Sequence, residues 1–449
     1  MADTLSRRSI LRGALVGGAV AISAACGAVP ATPTDVGQEG EAPKAAEAAP
    51  KDEGPKTVNF LHVLEGQNET WRNGWAEVVE TFETKNPDQK IAIADSAFGE
   101  LPTKAAAAQA GGIKFDIIYG YFGWVGTFVA GNIVQPLDPI IATDPEIDPA
   151  NFHEAAKWIH KGQNYGVAWW INSREIWYNK SLIVNAGLKT PTELEAEGNW
   201  TWDAALEAAI KLTKVEGDEV VVGGMGTQPH VPSVLTDYSW AWGAEFWNPD
   251  CSQGGFGSDA FRDAVQFQAD TFTKHRVQGG NYFEGNTAIY HTGHFQIRRI
   301  NEQVTPTNLF EVGMAPTPNG PGGRKAAYAV VAIHLGSQAE NPEGGWDFIK
   351  HTVIGDLQEI WVPQGGGRYP ADLRREPITT KDYEDASVYK TMASIANATP
   401  TLIQQGDFND IWRNETWPAI LEGAITVPEA LQKTQDQVQG WLDDRGCLW

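Results

Sequence analysis

The stretch VNFLHVLEGQNETWRNGWAEVVETF (58–82) decides the fold class of this 449-residue chain. Its first six residues form a strand-like run in which Val58, Phe60, Leu61 and Val63 are apolar. After a polar turn, apolar residues recur at helical spacing, at Trp71, Trp75, Val78, Val79 and Phe82. A strand that leads directly into an amphipathic helix is the repeating unit of α/β proteins.

The same alternation of strand and helix continues downstream. Further strands are predicted at 91–94 and 115–119, and further helices at 101–110, 124–130 and 204–214. This order predicts a mostly parallel sheet with helices on both faces. Ligands of such sheets bind beyond the carboxyl ends of the strands, so residues that directly follow a strand are candidate ligand contacts: Glu65, Tyr121, Phe122 and Trp124.

The aromatic composition points to a ligand with flat apolar faces. The chain has 18 Trp against only 4 Met. An indole combines a flat apolar face with an N–H donor, which suits the faces and hydroxyl rim of a pyranose ring. For any single Trp a place in the core is the more common alternative. The tryptophans nevertheless cluster, at 169, 170 and 177, at 240, 242 and 247, and at 412 and 417. Clusters so far apart in sequence suit two walls of one cleft.

A family resemblance is carried by the segment 165–213. Tyr165-Gly166-Val167-Ala168-Trp169-Trp170 is followed by Tyr178-Asn179-Lys180, Ala186-Gly187, Pro191 and Trp200-Thr201-Trp202. This segment resembles the extracellular solute-binding proteins of ABC importers, in the sugar-binding branch that includes maltose-binding protein. The sequence departs from the family pattern at Ala168, where the family has proline, and in the extra residues 192–199. Six further motifs follow the family's order, at 115–118, 131–138, 285–295, 314–323, 341–349 and 367–370.

The resemblance implies a two-lobed α/β fold of the periplasmic-binding-protein type II, with a hinge and a ligand cleft between the lobes. The N-lobe is expected at 57–171 and 330–375, and the C-lobe at 172–329 and 376–449. The implied function is capture of a sugar or oligosaccharide by a monomeric receptor, which delivers it to the permease subunits of an importer. The family uses no cofactor and is not catalytic. No Cys or His spacing in the chain predicts a metal site.

The resemblance also assigns ligand-contact roles. Glu65 is expected to accept hydrogen bonds from sugar hydroxyls, with a helix cap as the alternative. Trp169, Trp170 and Asn172 lie where the chain is expected to cross between lobes, and Trp169 is the favoured stacking face. The remaining expected contacts are Tyr121, Trp124, Phe295, Trp412, the backbone of Gly366 and the guanidinium of Arg368, which has a surface ion pair as its alternative.

The stretch 238–242 is expected to supply aromatic contacts from the second lobe. As a strand it would direct Tyr238, Trp240 and Trp242 to one face. As a helix it would spread them over different faces.

The N-terminal region predicts export and a lipid anchor. Ser6-Arg7-Arg8-Ser9-Ile10-Leu11-Arg12 precedes the short apolar run 14–25, and the pair of arginines resembles a twin-arginine signal. Cys26 follows small residues, as at the lipidation site of bacterial lipoproteins. The Ala-, Pro- and Glu-rich segment 27–56 is predicted to be a disordered tether. These features predict a receptor anchored at Cys26 on the outer face of the cytoplasmic membrane.

The charge of the chain and its cysteines limit the possible partners and ligands. The net charge of −23 argues against a nucleic-acid partner and, more weakly, against an anionic ligand. Cys251 and Cys447 could pair outside the cell, although two unpaired thiols are the favoured interpretation. One alternative function keeps the fold and binds a polyol or a glycerol-phosphate-type metabolite. Another is a secreted glycoside hydrolase or lyase, which would need two carboxyl groups at a set separation.

Overall fold

The computed structural model of the chain describes residues 54–65, 67, 69–153, 156–355, 369–375, 387–398, 400–402 and 405–447. These residues belong to one compact unit. Cys26, Gly366 and Arg368 lie outside the described residues, as does nearly all of the predicted tether. No helix within these ranges is both long enough and apolar enough to cross a membrane.

The first sheet contains the strand of the opening stretch. Its strands are β1 (Lys56–Glu65), β2 (Gln89–Ala97), β3 (Ile117–Tyr121), β6 (Val167–Asn172), β12 (Ala326–Leu335), β13 (Tyr369–Pro370) and β14 (Ala396–Ala398). The order is β13-β6-β12-β3-β1-β2, with β14 paired to β12. A short separate ladder joins β4 (Ile159–His160) to β5 (Gln163–Asn164).

The prediction of a mostly parallel sheet is wrong. Strand β1 runs parallel to β2 and β3, as expected for consecutive strand–helix units. Strand β12 is antiparallel to both β3 and β6, and β13 is antiparallel to β6. The sheet is mixed because the chain leaves it after β6 and re-enters along β12 in the opposite direction.

Helices on the first sheet are α1 (Glu69–Lys85), α2 (Leu101–Ala110), α3 (Val125–Ala130), α4 (Asp138–Ile141) and α11 (Pro342–Val353). The helical spacing read from the sequence is confirmed in α1, where Trp71, Trp75, Val78 and Phe82 are buried against the sheet. Burying an aromatic ring of this size removes about 150–250 Å² from water, so α1 is held mainly by this face.

The second sheet has the order β11-β7-β10-β9-β8. Its strands are β7 (Arg174–Asn179), β8 (Lys214–Glu216), β9 (Glu219–Gly226), β10 (Thr287–Gly293) and β11 (Val312–Ala315). Around it lie α5 (Lys180–Asn185), α6 (Pro191–Ala196), α7 (Trp202–Leu212), α8 (Pro232–Ala241) and α10 (Ile297–Gln303). Only Ser173 separates β6 of the first sheet from β7 of the second, so a single residue joins the two sheets. We call this place the crossing.

Besides the cores of the two sheets, the protein has a third apolar cluster, which is built from helices. This helical cluster is formed by α9 (Asp259–Thr273), α13 (Gln405–Ile411), α14 (Trp417–Leu421) and α15 (Val427–Arg445), with a π-helical turn at Trp412–Thr416. Helix α12 (Ser387–Ser394) packs instead into the core that contains the first sheet. Cys251 and Cys447 form a disulfide across this cluster, with Cα atoms 5.6 Å apart. The favoured interpretation of two unpaired thiols is therefore wrong. The two cysteines are 196 residues apart in the sequence, so their proximity could not be predicted from it.

Candidate functional site

A cleft of about 640 Å³ lies beyond the carboxyl ends of β2 and β3. One wall comes from the first sheet and the other from the helical cluster. The volume falls in the range of pockets that hold small ligands. Its position agrees with the rule for α/β sheets from which the first candidates were chosen.

The wall from the first sheet is aromatic. Phe98 directly follows β2, Tyr121 ends β3, and Phe122 and Trp124 lie on the 3₁₀ turn that comes next. The ring of Phe98 lies 4.6 Å from that of Trp124 and 5.1 Å from that of Tyr121, measured between centroids. Phe98 is 41% exposed, and the other three rings are half-buried. Apolar faces are therefore held in place while remaining accessible to a ligand.

The opposite wall combines an indole with charged side chains. Trp247 is half-buried beside Phe246, which anchors it through an edge-to-face contact with ring centroids 5.9 Å apart. Helix α13 contributes exposed Asp407 and Asp410, and the π-helical turn contributes exposed Arg413. This combination of ring faces, carboxylate acceptors and a guanidinium donor can hold a hydroxyl-rich ring compound.

A buried polar group lies at the crossing between the two sheets, where Ser173 joins β6 to β7. The carboxyl group of Glu175 accepts hydrogen bonds from Ser173 Oγ at 3.0 Å and from Trp177 Nε1 at 2.9 Å. Burial raises the pKa of Glu175 to about 8, despite these donors and the nearby Arg174. The Glu175 carboxyl group is consequently protonated at neutral pH.

Asp237 and His291 lie close to the same crossing. Asp237 Oδ2 is 3.3 Å from His291 Nε2, and Asp237 Oδ1 accepts a hydrogen bond from the backbone N–H of Ala327 at 3.0 Å. Burial lowers the pKa of His291, and the charge of Asp237 opposes that shift. The backbone bond joins helix α8 to the first residues of β12, so the group ties the second sheet to the first.

The structure brings two of the expected contact residues, Tyr121 and Trp124, into the cleft. Trp169 and Trp170 are instead buried, with 1% and 6% of their surface exposed. The ring of Trp169 lies 5.5 Å from that of Trp75 and 6.0 Å from that of Trp71. Trp169 thus forms part of the core under α1, where it has no face open to a ligand.

The second-lobe aromatics lie on a helix, as in the helical alternative. Tyr238 is fully buried and stacks on Trp202, and Trp240 is buried with its Nε1 donating to Glu245 at 3.0 Å. Trp242 lines a different groove of about 520 Å³, together with Trp202 and Phe267. These residues do not alternate as in a strand, because helix α8 begins at Pro232 and continues to Ala241, directly before Trp242.

Four more expected contacts lie outside the lining of the cleft. Glu65 is exposed at the end of β1. Asn172 and Phe295 are neighbours at the crossing, where each approaches Gly293. Trp412 is 1% exposed and donates from Nε1 to the carbonyl oxygen of Pro229 at 3.1 Å, which places it in the helical core directly before Arg413.

Sequence reasoning missed several cleft residues. Phe98 obeys the strand-end rule, but the predicted strand ended at 94 whereas β2 continues to Ala97. Trp247 was recognised only as a member of a cluster. Asp407, Asp410 and Arg413 carry no local signal, because helix α13 reaches the cleft only through packing in the helical cluster.

Comparison with known proteins identifies the family. The sequence model described as bacterial extracellular solute-binding protein matches residues 68–351, more than half of the chain. The chain belongs to this family. A binding protein of Brucella abortus (strain 2308) in the same comparisons is 24% identical over 305 residues, which cover 65% of this chain and 71% of that protein. Members of the family are binding proteins, not enzymes.

Solved structures share the two-lobed architecture of solute-binding proteins. An ABC substrate-binding protein of Listeria monocytogenes, in complex with cycloalternan, superposes with a TM-score of 0.75 at 18% identity and covers 87% of this chain and 99% of its own. The GacH receptor of Streptomyces glaucescens, solved with acarbose, gives 0.73 at 18% identity, covering 88% and 100%. The maltose/maltodextrin-binding domain of Bdellovibrio bacteriovorus, bound to maltotriose, gives 0.71 at 18%, covering 86% and 100%.

Proposed function

We propose that this solute-binding protein is the sugar receptor of an ABC importer. The observation that carries the proposal is the cleft itself, in which four aromatic rings face an indole and two exposed carboxylates across about 640 Å³. Ring faces take the C–H surfaces of a sugar, and carboxylates accept its hydroxyl protons. The ligands named for the structural neighbours, cycloalternan, acarbose and maltotriose, support this ligand class.

Binding without turnover is part of the proposal. Among the described residues, Asp407 and Asp410 are the carboxylates that line the cleft, and both project from one face of α13. A glycosidase would need its two carboxyl groups on opposite sides of the scissile bond. The protein would bind its sugar by closure of the lobes and release it unchanged to the permease.

The test is a melting experiment with purified protein and a panel of mono- and oligosaccharides, each mixture being checked for breakdown products. A ligand at about one hundred times its dissociation constant adds about 2.7 kcal/mol to the free energy of unfolding, which raises Tm by several degrees. A shift with intact sugar is expected. Consumption of the sugar would mean an enzyme, and no shift with any sugar would contradict the proposed ligand class.

Export and anchoring at Cys26 are proposed with the receptor role, since a receptor must meet its permease at the outer face of the membrane. Labelling of cells with a radioactive fatty acid should mark the wild-type protein and not Cys26→Ser. Equal labelling of both proteins, or of neither, would contradict the anchor without affecting the ligand proposal.

A further inference from the structure

The corner of the cleft at Ser233 is backed by a buried guanidinium, that of Arg174, which forms no ion pair with any described residue. Arg174 is only 9% exposed at the start of β7, and its Nε and Nη2 donate to Ser233 Oγ at 3.2 and 2.7 Å. Its Nη1 has no hydrogen-bond partner, and within the described ranges no carboxylate oxygen lies within 4.0 Å of the guanidinium. Burial raises the pKa of the adjacent Glu175 to about 8, and the charge of Arg174 acts against that rise.

Ser233 connects the guanidinium of Arg174 to the wall of the cleft. Its oxygen accepts both bonds from Arg174, and the side chain, which is only 5% exposed, lines the cleft. The remaining function of the hydroxyl is to donate its proton. A ligand atom at this point must therefore be an acceptor.

Two more donors, Tyr121 and Arg413, line the same cleft as Ser233. Arg413 is exposed in the cleft and forms no ion pair with any described residue. Tyr121, at the end of β3, lines the same cleft, and burial raises the pKa of its phenol to about 12. Tyr121 retains its proton at neutral pH and can donate it.

We propose that Ser233, Arg413 and Tyr121, backed by Arg174, bind an anionic substituent of the sugar, either a carboxylate or a phosphate. The inference rests on the proposed sugar-receptor function and narrows its ligand to acidic sugars. Asp407 and Asp410 also line the cleft and would accept the hydroxyl protons of the same sugar. The net charge of −23 opposes an anion at long range. Donors in direct contact with a desolvated anion outweigh such a screened field.

The test compares hexoses that differ in one substituent. Glucose, glucuronate and glucose 6-phosphate, with the corresponding galactose series, are titrated into the full chain by calorimetry at low and high salt. Tighter binding of an acidic member than of its neutral parent, weakened by salt, is expected. Comparison of the uronates with the phosphates decides between carboxylate and phosphate.

Two variants test whether Ser233 and Arg413 cause the preference for acidic sugars. Arg413→Gln should lower affinity for the acidic sugar by at least about tenfold while changing affinity for the neutral parent by less than about twofold. Ser233→Ala provides a second variant that leaves Arg174 in place. Arg445→Gln is the matched control, because Arg445 is also exposed but pairs with Asp444 on α15.

The two proposals fail in different ways. If neutral hexoses bind at least as tightly as their acidic counterparts, the inference of an acidic ligand is overturned and the sugar receptor stands. If no member of either series binds, and the wider panel of oligosaccharides also causes no melting shift, both proposals are overturned. Acidic preference that persists unchanged in Arg413→Gln and Ser233→Ala would overturn the assignment to this corner.

Discussion

Exposure separates the tryptophans that can meet a ligand from those that build the fold. Trp124 and Trp247 are half-buried on opposite walls of the cleft, whereas Trp169 and Trp412 are almost completely buried. Trp169, Trp247 and Trp412 belong to the tryptophan clusters of the sequence, whereas Trp124 was a candidate because it follows a strand. Ring chemistry is the same in each case, so only accessibility assigns the role.

Replacing Trp124 or Trp247 by alanine should weaken sugar binding by about tenfold to a hundredfold, because each removes a large ring at the centre of a desolvated contact. Calorimetric titration with the sugar found in the melting experiment measures the change. Trp242→Ala is the matched control, since this half-buried ring lines the separate groove. An equal loss in the control would argue against the cleft as the binding site.

Glu175 should make the free energy of unfolding depend on pH. Burial raises its pKa from 4.5 to about 8, so between these values the folded state binds more protons than the unfolded state. Stability from this group is complete below about pH 4.5 and is lost as pH rises through about 8.

Glu175→Gln should flatten the corresponding part of the stability–pH curve and make the variant less sensitive to alkaline pH than the wild type. Urea unfolding at several pH values between 5 and 9 measures this. Glu65→Gln is the control, because Glu65 is exposed at the end of β1. A slope that is unchanged in Glu175→Gln would show that another group is responsible.

Elements in this chain begin and end largely where local chemistry directs. Helix α2 spans Leu101–Ala110 as predicted, and α1 contains all five residues of the predicted apolar face. Helix α8 begins at Pro232, which occupies the first turn without losing a needed donor. The strand alternative for 238–242 fails because a two-residue period over five residues is too short to exclude a helix.

The long helix α15 (Val427–Arg445) is stabilised by a capping box. Thr426 Oγ1 accepts from the N–H of Glu429, and the Glu429 carboxylate accepts from the N–H of Thr426 at 3.0 Å. Thr426→Ala should lower the free energy of unfolding by about 1 kcal/mol. Thr426→Ser retains the oxygen and should remain near the wild-type value in the same urea titration. Equal losses in the two variants would indicate that the methyl group matters instead of the cap.

At the scale of the whole molecule, the chain passes between two sheets and closes a helical cluster with a covalent bond. The Cys251–Cys447 disulfide joins the turn before α9 to the end of α15. Because it closes a loop of nearly two hundred residues, it restricts the unfolded chain strongly.

The double variant Cys251→Ser/Cys447→Ser should lose about 2–5 kcal/mol of stability while keeping its ligand affinity, since neither residue lines the cleft. Chemical unfolding of the oxidised wild type and of the variant measures the loss. Reduced wild-type protein should match the variant. If reduction leaves the unfolding midpoint of the wild type unchanged, the bond does not contribute to stability.

The sequence alone predicts the α/β class, the family and all of the first wall of the cleft except Phe98. Strand periodicity and helix spacing are local, and the residues that follow β3 necessarily lie at its carboxyl end. Glu65, Asn172 and Phe295 were expected to contact the ligand, but none of them lines this cleft. Chain order alone could not distinguish them from Tyr121 and Trp124, which do. The second wall forms only in the folded molecule. Trp247, Asp407 and Arg413 come together through packing of helices distant in sequence, and the disulfide partners meet across 196 residues. Burial likewise decided the role of each tryptophan, because accessibility is a property of the packed molecule and not of the residue.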